Sequence, residues 1–134
     1  MTLIESEVLA HKATPEEIFS FLADVNQHQS IMPDQVVNWK SDVDTCQYTI
    51  SGTGTISLKV TARLPNQKIT MQPDGKVPFG FTMSWNISSI DGVTHTKLLM
   101  EAELNAMLRM LAAKPLENFL NLQNKNLQAY FENL

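Results

Sequence analysis

Few side chains in this sequence have the type and spacing that chemistry requires. His11, His28 and His95 are far apart and form no HxxxH or HxH pair, so no metal site is read from them. All three are expected to face solvent, His11 at the end of a first strand whose outer face carries Glu5 and Glu7. Cys46 has neither a CxxC partner nor a neighbouring base, and reads as a buried structural thiol. Gly52-Thr53-Gly54-Thr55 lacks the lysine and following helix of a phosphate loop, which leaves a hairpin turn. The pairs Glu16/Glu17 and Glu101/Glu103 read as solvated faces. No catalytic residue and no cofactor is assigned.

Three polar residues, Tyr48, Thr96 and Gln123, fall instead on a surface that is otherwise apolar. Gln123 follows Leu116 by two helical turns, and at about 100° per residue it points within roughly 20° of it, at the middle of an apolar stripe. An amide buried there costs about 1 to 3 kcal/mol unless it is hydrogen-bonded. Two readings stay open: a partner in a dry core, Tyr48 and Thr96 among the choices, or a wet or ligand-filled cavity.

The elements that must position these groups are written in the punctuation. Between residues 36 and 105, Asp42-Val43-Asp44, Gly52-Thr53-Gly54, Pro65-Asn66, Pro73-Asp74-Gly75 and Asp91-Gly92 separate short segments rich in Val, Ile, Thr, Phe and Trp. Six strands joined by short turns must be antiparallel neighbours. Before them stand one strand over Thr2 to His11 and a short helix from about Pro15 to Asp24, entered through Thr14 and Pro15. A helical turn around Gln29 to Met32 ends at Pro33. After them, Asn105 caps a long helix to Leu134, with Pro115 as an internal break or kink.

Alternation places Val37, Trp39, Tyr48, Leu58, Met83, Trp85, Thr96 and Met100 on the face toward this helix, with Ala62 and Leu64 continuing the row. The opposite register buries Arg63, Lys59, Lys97, Glu101 and Glu103 without partners, at several kcal/mol each, and is rejected. Met32, Met71, Met83, Met100, Met107 and Met110 all fall inward or near the helix junction, as gap fillers or as the walls of an adaptable pocket. The outer face of the helix is expected to carry Asn118, Asn121, Asn124, Asn126 and Gln128. Packing on a partner subunit, as in a homodimer, and simple lineage composition both account for it.

The strand "IESEVLAHK" running into the "ATPEEIFSFLADV" helix, with the closing "EAELNAMLRMLAAKPLENFLNL", resembles the START-like, or helix-grip, superfamily along the whole chain. Polyketide cyclases, plant pathogenesis-related allergens and lipid-transfer domains are members. The resemblance implies an α+β fold over residues 1–134 as one domain: a curved antiparallel sheet of about seven strands gripping the long C-terminal helix, with a short helical pair after the first strand. It also implies an apolar cavity between sheet and helix, for which the candidate ligand-binding residues are Trp39, Tyr48, Met83, Trp85, Thr96, Met100, Phe119 and Gln123. Fold alone does not determine function.

Composition agrees with such a domain. The 134 residues are 43% hydrophobic and carry a formal charge of -4 with no basic stripe, so nucleic acid is not an expected partner. No apolar run approaches the roughly 18 residues of a membrane span, and the start has no signal-like segment, so the cytoplasm is expected. The expected function is binding, transport or sensing of a small apolar or amphipathic molecule. The alternatives are a polyketide cyclase- or dehydratase-like enzyme with Tyr48 as its acid, and a co-chaperone-like interaction domain. No acid, base or electrophile beyond Tyr48 is aimed inward, which weighs against catalysis. No exposed apolar run is expected, which weighs mildly against the interaction domain.

Overall fold

The computed structural model describes all residues from Met1 to Leu134. Strands β1 (Thr2–Glu5) and β2 (Leu9–His11) precede helix α1 (Pro15–Ala23) and a 3-10 turn over Val25–Ile31. The meander follows as β3 (Val36–Ser41), β4 (Thr45–Ile50), β5 (Gly54–Leu64), β6 (Lys68–Pro73), β7 (Phe81–Ile90) and β8 (Val93–Ala102), and helix α2 (Ala106–Glu132) closes the chain. All neighbours are antiparallel, in the order β1-β8-β7-β6-β5-β4-β3, with β2 also on β8. This is the expected α+β architecture, a curved antiparallel sheet around a long helix, with eight strands because the first is split.

Local chemistry accounts for the helix starts. The Thr14 hydroxyl accepts from Glu17 N while the Glu17 carboxylate accepts from Thr14 N, a capping box followed by Pro15 at the first helical position. At α2, Asn105 Oδ1 accepts from Leu108 N at 2.9 Å.

Three irregularities correct the strand register. The β1 pairing sets Glu5 against Leu99 but the β2 pairing sets Leu9 against Thr96, so the first strand carries one extra residue. That residue exchanges the faces: Val8 is exposed and His11 is buried, against the expectation of a solvent-facing imidazole. In β3 the ladder shifts between Val37 and Lys40 around Asn38 at φ 56°, which leaves Val37 exposed where it was expected inside. In β5 it shifts between Val60 and Ala62, so Ala62 and Leu64 face outward and Arg63 lies opposite buried Ile69 on the inner face.

The inward placement of Arg63 is tolerated because its side chain stays 30% exposed and the guanidinium is not unpaired. It donates to Ala23 O at 2.9 Å and Val43 O at 2.9 Å and lies 2.8 Å from the Asp44 carboxylate. Ala23 ends α1, so the cation also meets the negative end of that helix.

Helix α2 is bound to the sheet by only part of its length. Its buried residues are Phe119, Leu120, Gln123, Asn124 and Leu127, none of them before Phe119. Met107, Met110 and Leu111 are exposed, which corrects the inward placement of the two methionines and the expectation of no exposed apolar run. Pro115 lies within the helix and has no N–H to give the Leu111 carbonyl.

Candidate ligand-binding site

Under the first half of α2 lies a cavity of about 630 Å³. Its depth is apolar: Leu58 of β5, Phe81 and Met83 of β7, Met100 of β8, and Leu116 and Phe119 of α2. Its mouth is formed by Gln35, the Ser51 to Thr55 turn, Val77 and Pro78, and Leu111. Gln35, Ser51, Thr53 and Thr55 are exposed, while Tyr48, Leu58, Met83 and Met100 are buried, so the cavity runs from the surface into the core with its polar groups mostly at the rim.

Tyr48 is the one titratable side chain in the lining. Burial, and secondarily Cys46, push its phenol above the ordinary value, so it stays protonated at neutral pH with a proton to donate. Its ring stacks on Trp39 at 5.4 Å and 10°. Trp39 is held in turn, its Nε1 donating to Ser41 Oγ and that hydroxyl to Asn26 Oδ1. Burial also pushes the Cys46 thiol up to about 12, leaving it protonated.

Of the eight candidate residues, Tyr48, Met83, Met100 and Phe119 line this cavity together. Trp39 stands behind Tyr48, and Trp85 is buried in the core two residues beyond Met83. Gln123 is buried one turn past Phe119, its Nε2 without a hydrogen-bond partner, and bonds to neither Tyr48 nor Thr96. The mouth residues Gln35, Val77 and Pro78 escaped the sequence reading. Small residues between two strands, Ser51 to Thr55, were the available signal for the rim.

Thr96 belongs to a separate buried network. Asn124 Nδ2 donates to the carbonyls of Glu7 and Thr96, each at 3.0 Å, so its Oδ1 is the atom that accepts from Thr96 Oγ1 at 2.7 Å. Thr96 has then given its proton, and His11 Nε2 must donate to it at 2.6 Å. His11 Nδ1 is left as a buried acceptor without a partner. Burial, with a smaller contribution from His95, lowers the His11 pKa to about 4, so the ring is neutral.

The amides of α2 are therefore not an outer face. Besides Asn124, Asn121 Oδ1 accepts from Glu7 N at 2.7 Å, Asn126 Nδ2 donates to Ile31 O at 2.9 Å and Gln128 Nε2 to Ala10 O at 2.9 Å. Asn118 alone of the five stays exposed. The second misplaced histidine, His28, is buried in the 3-10 turn and donates from Nε2 to Leu22 O at 2.8 Å. His95 is half-buried on the outward side of β8.

No family model and no curated protein matches this sequence. Solved structures do. XoxI from Bacillus cereus aligns at a TM-score of 0.79 and 11% identity over 98% of this chain and 96% of its own. The Aha1 dimer from Colwellia psychrerythraea aligns at 0.68 and 18% identity, over 96% and 97%. The di-domain ARO/CYC StfQ of the steffimycin biosynthetic pathway aligns at 0.75 and 12% identity, over 98% of this chain and 50% of that one. At these identities the likeness is one of architecture, and it is the same architecture that the strands and α2 display: the chain has the START-like, helix-grip fold.

Proposed function

We propose that this protein binds a small apolar or amphipathic molecule in the cavity between the sheet and α2. The carrying observation is the lining: about 630 Å³ of space walled mainly by apolar side chains, with no charged group. Protein interiors otherwise pack to crystal-like density, and a pocket of this size and apolar character supports the reading as a ligand site. A ligand's apolar body would lie along Leu58, Met83, Met100 and Phe119, with a polar end near Tyr48 or the Ser51 to Thr55 rim. A lone buried free thiol suits a reducing compartment, and we place the protein in the cytoplasm.

Native mass spectrometry of freshly purified protein, beside denaturing spectra, tests the reading. An adduct of a few hundred daltons that vanishes on denaturation is expected, and Met83→Trp, which puts a larger ring into the depth of the cavity, should weaken it. A bare chain that also binds no apolar probe would overturn the reading and favour a domain working through protein contacts, with Met107, Met110 and Leu111 the first surface to examine.

A cyclase-like reading has one specific support, that the only proton donor in the depth of the cavity is Tyr48. Tyr48→Phe separates the two, since a carrier keeps its affinity within about tenfold and an acid-catalysed enzyme loses nearly all turnover. The expected homodimer loses its argument from the Asn face, whose amides are used within the chain. The Aha1 structure, being of a dimer, keeps that state worth measuring by sedimentation.

A further inference from the structure

Gln123 is 1% exposed, and its amide nitrogen has no hydrogen-bond partner. The other buried polar side chains of this network are engaged with one another: Thr96 Oγ1 with His11 and Asn124, and Asn124 Nδ2 with two carbonyls. Leu111, Ala112, Pro115, Leu116 and Phe119 line the cavity in order along α2, and Phe119 is the last of them. Gln123 is the next position on that stripe, four residues or about 6 Å further along the helix. A buried donor without an acceptor is uncommon in a folded protein, and its place just past the last lining residue gives it a use.

We propose that Gln123 is a specificity-determining residue for the deep end of the cavity, and that the ligand carries a hydroxyl or carbonyl oxygen at the end that enters first. This rests on the proposed function and sharpens it to an elongated molecule that is apolar in the middle and polar at both ends. The leading oxygen displaces the Phe119 ring sideways and accepts from Gln123 Nε2, while the trailing polar group stays at the rim beside Ser51, Thr53 and Thr55. A pocket with a wholly apolar floor would select the opposite, because a second hydroxyl buried without a partner lowers affinity.

Binding of n-decanol and of the matching α,ω-decanediol to the intact protein and to Gln123→Leu tests this. The diol should bind the wild type at least as tightly as decanol, and lose about tenfold or more relative to decanol in Gln123→Leu. A diol-to-decanol ratio that is the same in both proteins overturns the role of Gln123 and leaves the cavity reading standing. Failure of both alcohols to bind the wild type overturns the cavity reading as well. If Gln123→Leu does not fold, side-chain amide resonances of the wild type decide: the diol should move the Gln123 pair downfield and decanol should not, and a pair unmoved by bound diol overturns the proposal.

Discussion

His11 Nε2 lies 2.6 Å from Thr96 Oγ1, although the two residues are 85 positions apart. Thr96 stands opposite Leu9 in the ladder, so the contact exists only because the extra residue between β1 and β2 turns His11 inward. Through Thr96 and Asn124 the same bond reaches α2, joining strand, sheet and helix in one buried chain of donors and acceptors.

Acid should weaken this arrangement. A second proton on His11 would go to Nδ1, which faces no acceptor, and its pKa is lowered from 6.5 to about 4. Between those values the unfolded chain holds a proton that the folded chain lacks, so the contribution is complete above about pH 6.5 and is lost as pH falls toward about 4. Burial lowers His28 in the same direction. Thermal melts across this range should show the wild type losing stability steadily, with a shallower loss in His11→Gln. Equal slopes in the two proteins would sink this assignment.

Asn124→Leu keeps the branched heavy-atom skeleton and removes the bonds to Thr96 Oγ1, Thr96 O and Glu7 O. Stranding those groups in the core should cost about 3 kcal/mol. Urea unfolding should show a lower midpoint at unchanged m; a loss under about 1 kcal/mol would mean that water replaces the amide.

Arg63 and Asp44 form an ion pair of unequal importance. Asp44 is 65% exposed, so Asp44→Ala should cost no more than about 0.5 kcal/mol. Arg63→Leu also strips the bonds to Ala23 O and Val43 O, and should cost about 2 kcal/mol. Equal losses in the two variants would show that the carboxylate, and not the helix end, holds the guanidinium.

Cys46 is 4% exposed and its thiol is pushed up to about 12. Alkylation by iodoacetamide at neutral pH should be negligible in the folded protein and rapid in denaturant. Fast labelling of the native form would contradict the packing of β4 against β5.

The architecture was legible because its signals are local. Paired turn residues mark every hairpin, Thr14-Pro15 and Asn105 mark both helix starts, and the row Phe81, Met83, Trp85, Ile87 alternates without interruption along β7. What failed were phases and partners. One extra residue near Ser6, Asn38 or Thr61 leaves composition untouched yet exchanges inside for outside beyond it, which is how His11, Val37 and Arg63 were misplaced. The sequence puts the α2 amides on an outer face because their acceptors, the carbonyls of Glu7, Ala10 and Ile31, are backbone atoms that no side-chain pattern reveals. Tyr48, Met83, Met100 and Phe119 share one cavity, whereas its rim depends on loop placement, which periodicity does not encode.

The amide clasp links Glu7 and Ala10 to residues more than a hundred positions later, and α2 follows every strand in chain order. On the ribosome, the sheet must therefore emerge with its apolar inner face uncovered and wait for α2. During that interval Leu98 and Met100 of β8 lack the helix that packs against that strand, and the nascent sheet is at its most prone to aggregate. Synthesis speed through α2, and the chaperones present while it is made, should govern soluble yield more strongly than the stability of the finished fold.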